Sequence, residues 1–422
     1  MSMQFESGRG PRVRDAALAV ILGLFMIGPA FLFGVQVMGA DVPTWLSARN
    51  SQWLSGGYQE SQVGKHATAE GFASGKLQKA LDVAIGNHIP AKAGALLGNA
   101  AFQRIFIEVS NALFAWRCYP TYYGSKRIYI PEANALVRPA MSGRSDTLEV
   151  LESFGDDLAA FADRHRGISF KVVVPDVSEC SVANPSSSLV SDAVSTEGCV
   201  GALEMATSSV SNVSVASVRF DDVDSYYEKY YKGDHHWNGF GAWEAFAAAS
   251  GGVVTNETVR GLSPICMNGS LAREGLLLIN EPAEEPLYDI GGISVSEGAV
   301  PALLMPDGAS RLMVEPNEAE FNFYHSWYGD PAPLQINGGG SGSSLVLCDS
   351  FGAAFQWLVA ARCETTAVYQ DMHVNRRGDE TLEERLGAGY DTVYIVAHID
   401  GFTSLGDRFP SYFEEKSQAE AS

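Results

Sequence analysis

The sequence predicts an α/β protein: a mainly parallel open sheet, preceded by one membrane-spanning helix and a helical stalk. Three observations predict it. Near-continuous apolar and β-branched runs (Ile168–Val174, Leu345–Cys348, Thr392–Val396) alternate with helix-patterned segments, the rhythm of a sheet covered on both faces. Residues 16–40 contain no charged side chain. The 422 residues, 46% hydrophobic, leave room for one full α/β domain and a smaller part besides.

The N-terminal 15 residues read as a cytoplasmic tail. The uncharged run from Ala16 to Ala40 exceeds the roughly 20 helical residues that cross a bilayer core. Arg9, Arg12 and Arg14 precede it, so the positive-inside bias holds the tail in the cytoplasm and sends the rest outside the cell membrane. Gly28-Pro29 predicts a kink. A cleaved signal peptide is the competing reading, given Met38-Gly39-Ala40, but the apolar run is long for a signal sequence. A net charge of −21 argues against nucleic acid, which demands clustered Lys and Arg. Sugars and acyl donors remain open as ligands.

Residues 41–120 read as a stalk or cap, with helix-spaced apolar positions over Ala73–Ile85 and Ala95–Phe114 broken at Asn87-His88-Ile89-Pro90. Residues 121–406 form the α/β domain. Tyr122–Ile130 reads as a turn feeding a strand. Asp146 and Glu149 have capping-box spacing before the stripe Leu148, Leu151, Phe154, Leu158, Phe161, which Gly167 is placed to end. A strand over 168–174 leads into a long Ser-rich loop, 175–209, and a strand over Val213–Phe220. Cys180 and Cys199 bracket that loop as a plausible disulfide pair. Residues 250–340 hold short strand-like pieces, Leu276–Ile279 and Leu312–Val314, and read as an insertion. Strands at 345–348, 366–369 and 392–396 then alternate with helices at 352–361 and 380–386. The tail, 407–422, is polar.

Ligands of open parallel sheets sit beyond the carboxyl ends of the strands. Ser350 leaves one such end and enters a helix, where nearby backbone N–H groups, that of Gly352 among them, could stabilise an oxyanion. Asp371 and His373 follow the next strand, and His398 ends the last. A serine hydroxyl needs a base, and the base needs a carboxylate to fix its tautomer. Asp234 and His236 are one residue apart, in a loop entering a helix, and can supply both. The bland alternative has Asp234 capping that helix and His236 packed in the core. A metal site built on Asp234-His235-His236 is a third reading, which adjacent histidines make sterically awkward. No Cys-x-x-Cys pair suggests structural zinc. The leading reading calls for no metal and no cofactor.

Tyr230-Tyr231-Lys232-Gly233-Asp234-His235-His236-Trp237, together with Val346-Leu347-Cys348-Asp349-Ser350-Phe351-Gly352, resembles the DHHW family. These are membrane-anchored, SGNH-hydrolase-like proteins related to the alginate O-acetylation proteins. The resemblance spans roughly residues 120–400. It implies a flavodoxin-like sheet whose motif order is circularly permuted, with Asp-x-His ahead of the serine. It further implies Asp234 as orienting acid, His236 as base and Ser350 as nucleophile, with Trp237 packing the loop. Gly352, His373 and His398 are the oxyanion or substrate candidates. Asn238 stands where the family commonly has Thr, and His373 where it often has Arg. The implied activity is O-acetylation of a cell-surface polysaccharide through an acyl-serine, beside a multi-span acyltransferase of the MBOAT class. A non-catalytic partner of such an acyltransferase, binding glycan or acting as scaffold, is the alternative; simple deacetylation is a third.

Overall fold

A computed structural model describes residues 62–86, 92–121, 127–251, 259–266, 269–274, 282–288, 293–297, 334–373, 380–406 and 409–413. The uncharged run at 16–40, His88, the turn 122–126, the pieces 276–279 and 312–314 and the tail beyond 413 lie outside the described residues. Among the described residues no helix is long and apolar enough to cross a membrane. The chain forms two compact units, Met1–Ile105 and Phe106–Ser422. The first contains the helices Val63–His66, Ala69–Ala73 and Lys76–Gly86 and the start of Lys92–Phe114.

The second unit is built on a seven-stranded sheet. Its strands are β1 (Ser169–Val173), β2 (Val213–Ala216), β3 (Ser294–Glu297), β4 (Leu334–Asn337), β5 (Ser343–Cys348), β6 (Thr365–Tyr369) and β7 (Thr392–Val396), in the spatial order β2-β1-β7-β5-β6-β4-β3. The first five in that order run parallel, and β4 and β3 add antiparallel at the edge. Counted from β5, the parallel part has the order 2-1-3-4-5, the flavodoxin order. The chain reaches that order with β1 and β2 first, so the expected permuted sheet is present.

Strand alternation explains the two helical layers. Phe170 pairs with Val393 and Lys171 with Tyr394, and successive residues face opposite sides of a sheet. On the Phe170 side lies helix α1 (Arg144–Arg164), whose Phe161 ring meets Phe170 at 5.9 Å. On the Tyr394 side lie α3 (Gly239–Ser250) and α4 (Gly352–Ala360), through Phe246 and Phe355. Every residue of α4 is buried, which accounts for its nearly all-apolar sequence.

Three local expectations are corrected. Helix α1 starts at Arg144 behind Gly143, with no side-chain cap, so Asp146 lies in the first turn and forms no capping box. The stretch 175–209 is not one long loop: it contains a 3₁₀ turn, Pro185–Leu189, and helix α2 (Thr196–Thr207). Ser195 caps α2 by accepting from the Gly198 N–H. Glycines and hydroxyl residues mask its helical pattern, yet Cys199 and Leu203 lie four apart and are fully buried. Cys180 and Cys199 are both free and buried, so the disulfide is absent. From the stretch read as an insertion, β3 and β4 extend the main sheet, while Val259–Cys266 and Pro282–Tyr288 pair as a separate antiparallel ribbon.

The Phe154 side chain holds the C-terminal helices to α1, with ring centroids 4.9 Å from Phe402 and 4.6 Å from Phe409. Phe154→Ala is expected to lower the unfolding free energy by about 3–5 kcal/mol. Urea unfolding should show a lower midpoint at unchanged slope.

Candidate active site

The loop from Tyr230 to Asn238 is closed by its own backbone. Tyr230 bridges Trp237, the Tyr231 N–H donates to the His236 carbonyl at 3.2 Å, and the Asn238 N–H donates to the Lys229 carbonyl at 2.8 Å. Asn238 caps α3 by accepting from the Gly241 N–H at 3.0 Å. Asp234 is therefore not the cap. Trp237 packs against Phe351 and Phe355 and donates its indole N–H to the Phe351 carbonyl at 3.1 Å. That bond joins the loop to the turn after β5.

Across this join the three side chains meet in line. Nδ1 of His236 lies 2.5 Å from Oδ1 of Asp234, and Nε2 lies 2.8 Å from Oγ of Ser350. Asp234 and His236 are buried and Ser350 is half-buried. The Nδ1 contact sets the tautomer: the imidazole donates to the carboxylate and leaves Nε2 to accept from the hydroxyl.

The carboxylate has more partners than the sequence suggested. Its Oδ1 also accepts the His236 N–H at 3.0 Å, and Oδ2 accepts the Ser270 N–H at 2.6 Å. Ser270 comes from the stretch between the ribbon strands. Gly269 before it lies so close that a Cβ there would stand 2.2 Å from Asp234 Cβ. The Ala272 N–H donates to the Gly233 carbonyl at 2.9 Å, which fastens the same segment to the loop. Burial alone would raise the Asp234 carboxyl, but His235, His236 and the Ser270 N–H together hold it well below the ordinary carboxylate range. Burial, then neighbouring His236, pushes the His235 imidazole well down.

Asp234, His235 and His236 offer metal-ligand atoms within 4.8 Å of one another. Two of the imidazole nitrogens are already engaged with hydroxyls, Nδ1 of His235 with Ser270 at 2.8 Å and Nε2 of His236 with Ser350.

Ser350 and His398 each follow a strand of the parallel sheet by two residues, and the strand ends Cys348 and Val396 are paired. Nδ1 of His398 is bonded to Oδ2 of Asp349, a buried carboxylate that also accepts the N–H groups of His398 and Phe351, each at 2.8 Å. Sequence reasoning singled out His398 but missed its partner; the clue was a second acid beside the serine. The Gly352 N–H donates to the Asp349 carbonyl at 3.1 Å, and a Cβ at Gly352 would meet Cys348 Sγ at 2.2 Å. His373 is half-buried four residues past the end of β6, its N–H donating to the Gln370 carbonyl at 3.0 Å. Asp371 accepts from Arg385 and from the Tyr412 hydroxyl, at 3.1 and 2.8 Å, and serves the packing there.

With this geometry in hand, comparison with solved structures gives fold-level likenesses. A DHHW family protein from Eubacterium siraeum matches with a TM-score of 0.51 at 11% identity, covering 71% of this chain and 99% of that one. Bacillus cereus PatB1 with a sulfonyl adduct matches at 0.48 and 14% identity, covering 68% and 99%. The O-acetyltransferase domain of Pseudomonas putida AlgJ matches at 0.30 and 13%, covering 66% and 90%. No family model and no curated protein matches the sequence. The resemblance read from Asp234-His235-His236-Trp237 and Asp349-Ser350-Phe351 thus extends to the fold of a DHHW family protein.

The depressed Asp234 carboxyl links stability to pH. A folded pKa below the unfolded value of about 3.9 contributes stability that is fully present above that value. It is lost as pH falls through the folded pKa. Wild type is expected to exceed Asp234→Asn in unfolding free energy at neutral pH, and the gap should narrow as pH drops below about 4. Denaturant titrations at a series of pH values check this.

Proposed function

We propose that the chain is a serine-dependent O-acyltransferase or esterase of the SGNH type, with Ser350 as nucleophile, His236 as base and Asp234 as orienting acid. The observation that carries this reading is the unbroken line from the Asp234 carboxylate through His236 to Ser350 Oγ, with contacts of 2.5 and 2.8 Å. His236 Nε2 takes the hydroxyl proton as Oγ adds to an acyl carbonyl carbon. Asp234 stabilises the imidazolium that forms, and the leaving oxygen takes that proton as the acyl-serine is released from the tetrahedral intermediate. A second alcohol, or water, then enters along the same path in reverse.

In the fuller reading the acyl group is acetyl and the acceptor is a hydroxyl of a cell-surface polysaccharide. Supporting it are the acidic composition, the family motifs and the uncharged segment at 16–40. That segment would anchor the chain in the cell membrane with the domain outside, beside a membrane-bound acyltransferase of the MBOAT class that supplies acyl groups. Transfer and hydrolysis share the acyl-enzyme, so product analysis with an acetyl donor and candidate oligosaccharides separates them.

The purified full chain is expected to release p-nitrophenol from p-nitrophenyl acetate, and Ser350→Ala to lower the rate by about 10⁴-fold or more. Equal turnover by the two proteins would reject the serine, and no release by either above the uncatalysed background would favour the non-catalytic, glycan-binding or scaffolding role.

A further inference from the structure

The two N–H groups that follow Ser350 are spent inside its own turn. Phe351 donates to Oδ1 of Asp349 and Gly352 donates to the Asp349 carbonyl. An acyl oxygen turning negative beside Ser350 can draw on neither of these two donors.

The neighbouring strand end supplies one. His398 follows the end of β7 by two residues, as Ser350 follows the end of β5, and those two strand ends are paired. Its Nδ1 is taken by Asp349, which fixes the ring. Its Nε2 makes no hydrogen bond among the described residues; the nearest acid, Asp400 Oδ2, stands 4.0 Å away, beyond reach. The Phe351 ring lies 4.9 Å from that of His236 and 5.5 Å from that of His398, so both imidazoles pack on one aromatic side chain.

We propose, on the reading of the site given above, that His398 as an imidazolium is the oxyanion donor of this centre, with Asp349 as its positioning residue. When Oγ adds to the acyl carbon, the Oγ proton goes to His236 and the carbonyl π pair goes to oxygen. The Nε2–H of His398 hydrogen-bonds that oxygen without giving up its proton. Collapse restores the carbonyl and expels the leaving oxygen, which takes the proton from His236. One imidazole moves a proton and the other holds one.

The surroundings favour a charged His398. Burial works against the charge, but Asp349, by proximity and hydrogen bond, then Asp400 and Glu179 outweigh it and raise the group above its ordinary value. Arg138 is the opposing charge: it pairs with Glu179 at 2.7 Å and lies 3.6 Å from Asp400. His235, on the far side, is held well below its ordinary value. A raised pKa means that the charge is present below the unfolded value of about 6.5 and lost only as pH climbs through the higher folded value.

The test separates an oxyanion role from a purely structural one. His398→Asn keeps a donor where Nδ1 meets Asp349 but removes the charge and the Nε2–H. With the full chain and p-nitrophenyl acetate, this variant should lose about 10²-fold in kcat, with KM changed by no more than about threefold. The alkaline limb of the wild-type kcat/KM profile should vanish. His398→Gln, which places a neutral donor near the Nε2 position, should recover part of the rate. Nitrogen NMR of labelled histidines in wild type should show His398 protonated near pH 7. If Ser350→Ala abolishes turnover while His398→Asn stays within roughly threefold of wild type, the oxyanion role is overturned and the triad stands. If Ser350→Ala turns over like wild type, the site reading fails and this role fails with it. A neutral His398 near pH 7 overturns the role whether or not the variants fold.

Discussion

The interaction on which the site depends is the burial of the Asp234 carboxylate. An ion taken out of water costs several kcal/mol unless its oxygens are satisfied, and Asp234 is 6% exposed. Three donors converge on it: the N–H and ring of His236, and the N–H of Ser270. Orienting His236 and docking the segment around Gly269-Ser270 are thus one solution to one electrostatic problem. A single oxygen that accepts both the backbone and the ring of His236 leaves the imidazole little rotational freedom. Precision in the position of Nε2 follows from the need to solvate a buried charge.

The same solution recurs forty-nine residues of chain away from His398. Asp349, 1% exposed, accepts the backbone N–H and the ring of His398 just as Asp234 accepts those of His236. The difference lies in what surrounds each pair. Asp234 is ringed by two imidazoles and a backbone donor, whereas His398 is ringed by acids, Asp349, Asp400 and Glu179. One environment concentrates positive partners around a carboxylate and the other concentrates negative partners around an imidazole.

Much of this was legible from residues whose chemistry and strand position coincide. Leu345–Cys348, Thr366–Tyr369 and Thr392–Val396 read as strands because they are buried on both faces, and Ser350 and His398 were located by the ends of those strands. Asp234 and His236 were found by their spacing, since one intervening residue brings a carboxylate to Nδ1, and by the family resemblance of the motif around them. What stayed hidden depends on distant contact or on weak local signal. Helix α2 carries Gly198 and Gly201 and begins among hydroxyl residues, so its periodicity is faint. Ser270 touches Asp234 through its backbone N–H, a group every residue but proline has, so no side-chain pattern reports it. Asp349 was visible as a letter next to Ser350, but its partner lies forty-nine positions away and is set by strand register.

Phe351 ties these pieces into one environment. It follows the serine, is 1% exposed, and presents its ring to His235, His236 and His398 while its carbonyl accepts the Trp237 indole N–H. An apolar wall between ionisable groups lowers the local dielectric, so each remaining charge acts more strongly on its neighbours than it would in water. The aromatic residue after the serine therefore belongs to the electrostatics of the site as much as to its packing.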